Sequence, residues 1–289
     1  MSKSVLLKSS LAKKYWMAAT GLFLCTFLIG HLLGNLQLFA GGEEGRRAFN
    51  EYAYFMAHNP MIKILSYVTY ISIVFHAVDG ILLTIENKKA RPINYAYNNP
   101  KANSTWSSRN MALLGSIILI FIATHMVNFW AKAKLGDTML LHKISVDAPA
   151  QMPGQQAQKQ EVYLTTTGNY LPVEGVEVKH HTQLYAPGLN IKLGEAYKDL
   201  HSVVMAFFGH DKSDKGVPAN PYALVAVFFY VISMVVLGFH LNHGFASAFQ
   251  SLGARHPKYT PAIKSIGTVF AFGISLGFAI LPIFIYLTK

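Results

Sequence analysis

Cysteine is nearly missing from this chain: Cys25 is the single one among 289 residues. One thiol excludes an intrachain disulfide framework and a thiolate metal cluster. Cys25 itself lies inside an apolar run, where a small helix-packing residue is the ordinary reading. Charge is scarce as well. Asp, Glu, Lys and Arg make up 13% of the residues, about half of what an average globular protein carries. Acids are the scarcer sign, 14 against 25 Lys and Arg, which leaves a net charge of +11. Such an excess can mark a nucleic-acid partner. Here the basic residues gather in short segments between long apolar runs, and that placement fits a membrane better.

Hydrophobic residues are abundant, 52% of the chain. A membrane-spanning helix needs about 20 largely apolar residues, and five segments qualify: 15–39, 61–85, 110–131, 221–245 and 262–287. The first carries no small-residue cleavage signature and is expected to be a retained helix rather than a signal peptide. Pro60, Pro221 and Pro261 stand at or near segment starts, where a missing backbone N–H does little harm. Pro282 falls in the last turns of the fifth segment and is expected to bend or end that helix.

Orientation follows from the bias of Lys and Arg toward cytoplasmic loops. One side receives Lys3, Lys8, Lys13 and Lys14, then Lys88, Lys89, Arg91, Lys101 and Arg109, then Arg255, Lys258 and Lys264. The other receives Glu43, Glu44, Arg46, Arg47 and Glu51, together with a long, charge-balanced loop from about Lys132 to Asn220. The first side is assigned to the cytoplasm, so the N-terminus is expected inside and the C-terminus outside. In the loop, 151–160 is Gln-rich and turn-prone, 163–178 reads as short strands broken at Gly168, Asn169 and Pro172, and 189–208 is amphipathic enough to lie along the outer membrane surface.

Four of these segments carry one deeply placed histidine each: His31, His76, His125 and His240. An ionisable residue in hydrocarbon is costly and is a functional hypothesis by default. At 1.5 Å per residue, His31 and His125 lie about 24 Å from their inner ends, in the outer half of the membrane. Segments two and four run the opposite way. His76 lies about 22 Å, and His240 about 28 Å, from the outer ends, in the inner half. Depth therefore pairs His31 with His125 and His76 with His240. Two facing neutral imidazoles with ring orientation fixed by a further acceptor are what an axially ligated haem requires. Gly30, Gly34 and Gly238 beside these histidines would let a macrocycle approach the backbone.

The competing readings are hydrogen bonds between helices and a proton-coupled transporter, for which Asp79 is the one clear acid deep in a span and no pair of broken helices is visible. His243, three residues after His240, shares its helical face and lies nearer the cytoplasmic surface, where a haem propionate is its natural partner. Lys88, Lys89, Arg91, Tyr95, Trp106 and Arg109 read as interfacial anchors. His58, His142, His180, His181, His201, His210 and His256 fall in loops or interfacial segments. The His180–His181 pair lacks further ligands at metal-binding spacing.

The strings Leu28–Asn35 (LIGHLLGN), Ile73–Gly80 (IVFHAVDG), Ala123–Trp130 (ATHMVNFW) and Gly238–Gly244 (GFHLNHG) resemble the di-haem cytochrome b membrane anchor of succinate dehydrogenase and fumarate reductase. The resemblance covers all five segments in order and leaves out the long outer loop. It implies an all-α five-helix bundle, residues 1–289 forming one membrane cytochrome domain with 132–220 inserted between helices three and four. It implies two haems b, with His76 and His240 holding the one nearer the soluble subunits and His31 and His125 the distal one. The implied partners are a flavoprotein with FAD and the dicarboxylate site, and an iron–sulfur subunit, whose clusters pass electrons to the proximal haem. The implied lipid substrate is a quinone, menaquinone in this branch, and the implied location is a bacterial inner membrane. An acid just before the second helix handles quinone protons in some relatives. Glu51 lies roughly there, and His58 is a second candidate. Gly238 occupies the place where some relatives carry an acid that serves transmembrane proton return. Cytochrome b subunits of hydrogenases and formate dehydrogenases match the local strings less well.

Overall fold

The structure is a computed structural model that describes residues 9–90, 93, 99, 102, 104–136, 139–148, 158–210 and 216–289. Lys3, Lys8, Arg91, Tyr95, Lys101 and the Gln-rich stretch 151–157 lie outside the described residues. The chain is mostly helical and divides into two compact units, residues 1–35, 60–124 and 225–283 in the first, and 36–59, 125–224 and 284–289 in the second.

Five helical stretches are long and apolar enough to cross a membrane: Ser10–Phe39, Pro60–Lys89, Met111–Leu135, Ala223–Ser251 and Thr260–Thr288. Within them we label α1 (Ser10–Asn35), α3 (Pro60–Lys89), α4 (Met111–His125), α6 (Ala223–Ser251) and α7 (Thr260–Thr288); α2 (Gly42–His58) and α5 (Leu200–Phe208) are shorter helices of the second unit. The long helices expose apolar side chains such as Leu33, Phe75, Ile120, Val225 and Val269. A helix that is apolar on the side facing away from its neighbours needs lipid rather than water there. Pro282 does not end α7, which continues to Thr288. Helices in hydrocarbon tolerate an internal proline because neighbouring groups re-satisfy the freed carbonyl.

The core of the first unit joins four helices: Cys25 of α1 packs with Met234, Leu237 and Leu241 of α6 and Ala271 and Ile274 of α7, and Ile118 and Phe121 of α4 lean on the same cluster. Cys25 is a buried packing residue. Gly277 shows how tight the approach of α7 to α1 is, since a Cβ there would fall 2.8 Å from Leu32 Cδ2. Near one end of α1 and α3, Lys13 forms an ion pair with Glu86.

In the second unit, β1 (Lys143–Ala148), β2 (Gln158–Leu164) and β3 (Tyr170–Pro172) form one antiparallel sheet. A second holds β4 (Glu177–Lys179), β5 (Gln183–Tyr185) and β6 (Lys192–Glu195). The turn between β2 and β3 uses Gly168 at φ 83°, a left-handed conformation that glycine adopts without steric cost. Leu141, Tyr163, Leu184 and Ala196 make a small core shared by both sheets. The amphipathic stretch 189–208 is not one surface helix. Its first part is strand β6, and α5 buries His201, Ser202, Val204, Ala206 and Phe208, packing against α2.

Candidate haem-ligand histidines and a buried polar network

The two histidines expected in the inner layer face each other. The ring centroids of His76 on α3 and His240 on α6 lie 6.2 Å apart with planes inclined at 69°. Each ring leans on a glycine that was not singled out from the sequence. A Cβ on Gly21 of α1 would sit 3.2 Å from His76 Cε1, and one on Gly115 of α4 would sit 3.6 Å from His240 Cε1. Four helices thus meet around this pair.

The hydrogen bonds assign a tautomer to His76. The Thr20 hydroxyl donates to the Trp16 carbonyl at 2.8 Å, so its lone pair accepts from His76 Nδ1 at 3.3 Å. With the proton on Nδ1, the Nε2 lone pair is left to bind a metal, which is the arrangement in which a further acceptor orients a ligating imidazole. On the facing ring, His240 Nδ1 is buried without a hydrogen-bond partner.

The spacing of these rings is compatible with a metal held by both. A coordinating imidazole nitrogen sits about 2 Å from a transition metal, so His76 and His240 sharing one metal would hold their ring centroids roughly 6 Å apart.

Of the outer pair, His31 lies in the first unit and His125 in the second. His31 stacks on Phe27 at 5.4 Å and 12°, with Phe278 of α7 at 5.5 Å. Asn35 Nδ2 donates to the His31 carbonyl at 2.8 Å. Beside it, Gly30 borders open space, whereas the position a Cβ of Gly238 would occupy is taken by Phe272 and Ser275. Gly238 therefore serves the contact of α6 with α7 and leaves no room for a macrocycle on that side. His125 ends α4 and is followed by a π-helical segment, Met126–Ala131. Such bulges are rare and often stand at functional sites. His243 is half-buried on α6, and the neighbouring Asn242 accepts a bond from Thr268 of α7 at 2.8 Å.

Comparison of the chain with protein-family models, with curated proteins and with solved structures gives no match. Among the described residues, no group of three or more His, Cys, Asp or Glu is placed to hold a metal ion on its own.

The two residues singled out for quinone protons lie on α2. Glu51 is paired with Arg47 at 2.7 Å, and both side chains are substantially exposed. His58 stacks on Tyr54 at 3.9 Å and its Nδ1 donates to the Tyr54 carbonyl at 2.8 Å. Tyr54 meets Tyr197 edge to face at 5.3 Å. Burial raises the pKa of both tyrosines, with Glu195 adding to the effect at Tyr54 and Glu51 at Tyr197.

A larger polar network on the same helix had no sequence signal. Arg46 is 3% and Asp199 0% exposed, and the guanidinium grips the carboxylate through Nε at 3.1 Å and Nη2 at 2.5 Å. Arg46 Nη1 donates to Glu43 and to the Lys143 carbonyl, both at 2.9 Å. Asn50 Nδ2 donates to Asp199 Oδ1 at 2.8 Å and to His142 Nδ1 at 3.1 Å. The other His142 nitrogen, Nε2, therefore carries the proton and donates to Glu43 at 2.6 Å. Burial would raise the pKa of Asp199, but the bonds and charge of Arg46 outweigh it and hold the carboxyl below its ordinary value. Glu43 is lowered in the same way, with His142 and Arg46 overcoming burial. Burial and the nearby Arg46 lower His142, against the pull of Glu43. The network ties α2 to the start of β1 and to the N-terminus of α5.

Proposed function

We propose that the chain is the membrane anchor and electron-transfer subunit of a succinate:quinone oxidoreductase, a cytochrome b with two bis-histidine haems in a five-helix bundle. The observation that carries this reading is the facing pair His76 and His240, one ring backed by Gly21 and Thr20, the other by Gly115. His31 and His125 would hold the second haem. Each haem, when bound, supplies a one-electron relay. The chain's own residues orient the imidazoles, shield them from water and keep the coordinating nitrogens unprotonated. Dicarboxylate chemistry belongs to a partner flavoprotein with FAD, and electrons are exchanged through an iron–sulfur subunit. The cytoplasmic face, with its concentration of Lys and Arg, is the side that docks these partners in a bacterial inner membrane. The lipid substrate is a quinone of the menaquinone type.

The direct test is purification of the complex from membranes. Two haems per flavin and reduction of both by succinate are the expected results. A spectrum without haem ends the proposal, and reduction by hydrogen or formate but not succinate assigns the chain to a different dehydrogenase. Gly21 offers a sharper check at one haem. The Cβ of Gly21→Val would press on the His76 ring, so this variant is expected to lose or distort the spectrum of one haem and keep the other. Unchanged spectra of both would separate His76 from haem binding.

Glu51 and His58 are the water-facing groups proposed for quinone proton exchange. Glu51→Gln is expected to leave succinate oxidation with an artificial flavoprotein acceptor intact. Quinone-linked turnover should fall roughly tenfold or more, the scale at which a positioned acid–base group acts. Full quinone turnover in the variant removes Glu51 from the mechanism.

A further inference from the structure

Arg46, Asn50, His142 and Asp199 all find partners within the network of the second unit. His201 does not. It is 7% exposed, and both of its ring nitrogens are buried without a hydrogen-bond partner. Only its backbone N–H is engaged, donating to Asn50 Oδ1 at 2.9 Å. Burial pushes the imidazole down to about 4, so near neutral pH the ring is uncharged and offers one donor and one acceptor. A buried polar atom left unsatisfied is destabilising, and in a native protein it calls for a missing partner.

The surroundings select the kind of partner. Arg46 and Asp199 neutralise each other in the buried part of the network, and the one net negative charge left, on the partly exposed Glu43, repels anions. Phe49 of α2 stands edge-on to the His201 ring at 5.8 Å. Toward the other end of α5, Phe207 and Phe208 pack on Phe129 at 5.0 and 6.0 Å. Phe129 in turn contacts the ring of His125 at 5.3 Å. A single short helix thus connects the unsatisfied imidazole, roughly 10 Å along its axis, to the aromatic cluster beside a proposed haem ligand. An uncharged, ring-shaped ligand with an oxygen able to accept or donate a hydrogen bond matches this setting.

We propose that the His201 imidazole is the hydrogen-bonding partner of a quinone carbonyl oxygen, donating its ring N–H to that oxygen. The assignment rests on the reading above and gives it a substrate contact distinct from Glu51 and His58. His201 binds and orients the head group, and the water-facing residues of α2 exchange its protons.

The test uses the intact complex and two variants. His201→Phe keeps an aromatic ring against Phe49 and removes both nitrogens, so the fold should be retained. His201→Gln retains a hydrogen-bonding group. The probe is a short-chain naphthoquinone labelled with ¹³C at its carbonyls, followed by infrared difference spectroscopy. In the unmodified complex one carbonyl band is expected at lowered frequency. In His201→Phe that lowering should be lost and quinone-linked turnover should fall at least tenfold, with both haem spectra and flavoprotein activity unchanged. His201→Gln should recover part of each. A carbonyl band and quinone turnover in His201→Phe identical to the unmodified complex would overturn the assignment while leaving the cytochrome reading intact. An experimental structure with quinone bound elsewhere and water alone at both ring nitrogens would overturn it too. A purified protein that carries no haem removes the reading on which the assignment stands.

Discussion

On the cytochrome b proposal, replacing His76 or His240 with alanine is expected to cost the purified protein one of two haems while the other stays bound. The two rings face each other at 6.2 Å, so either substitution would remove one of the two side chains proposed to hold a haem between them. The remaining imidazole keeps its own support: Thr20 and Gly21 for His76, Gly115 for His240. A haem left with one histidine would be held weakly, so partial retention with an altered spectrum is the mildest outcome consistent with the proposal. The companion substitution His243→Ala should leave both haems in place, because that side chain is not part of the facing pair. Difference spectra and haem quantification of the purified variants provide the measurement. Loss of a haem in His243→Ala, with none lost in His240→Ala, would move the ligand by one helical turn. Loss of both haems in His76→Ala, with the protein still folded, would mean that the two sites are not independent.

The parts that were legible in the sequence are those governed by local composition. Five apolar runs gave five long helices, because a run of about 20 apolar residues has few stable alternatives. The histidines at 76 and 240 could be paired by depth alone, since rise per residue in a helix is fixed. The strand breaks at Gly168 and Pro172 were readable from turn chemistry. Where contacts are distant in sequence the signal ran out. Gly21 and Gly115 are two of 22 glycines, and nothing local marks them as the ones that receive imidazole rings. Helix α2 has no long apolar run to announce it, although Glu43 with Arg46 and Arg47 with Glu51 are spaced as ion pairs on a helix. Acids in its first turn, Glu43 and Glu44, also suit a helix N-terminus. Arg46 and Asp199 lie 153 residues apart, and no spacing rule joins them. The stretch 189–208 misled for a related reason: its apolar periodicity is real, but part of that face is buried against α2 instead of lipid.

The buried Arg46–Asp199 pair makes the second unit vulnerable to a single substitution and to acid. Asp199→Ala would strand the Arg46 guanidinium at 3% exposure, release Asn50 Nδ2 and remove the acceptor for the Ser202 N–H at the start of α5. Breaking one partner of a buried pair costs about 3–5 kcal/mol, because the remaining charge is uncompensated. Replacing both partners with apolar groups of similar size, Arg46→Met with Asp199→Leu, should recover much of that loss. The pH dependence runs in the same direction for every titrating member. Asp199, Glu43, His142 and His201 all have folded pKa values below their ordinary ones. A depressed pKa means that the unfolded state binds more protons, so stability is full above the ordinary value and is lost as pH falls. The histidine contributions should therefore fade below pH 6.5, that of His201 until about 4. The carboxylates follow below their ordinary values of 4.5 for Glu43 and 3.8 for Asp199. Amide hydrogen exchange on purified protein, compared at pH 7 and pH 5 after correction for intrinsic rates, reads this out. Protection of α2 and α5 should weaken at the lower pH, and weaken at pH 7 in Asp199→Ala, with α6 as the internal reference. Equal protection at both pH values would show that the histidines stay neutral in the opened state as well, and undiminished protection in Asp199→Ala would show that the ion pair does not hold α2 to α5.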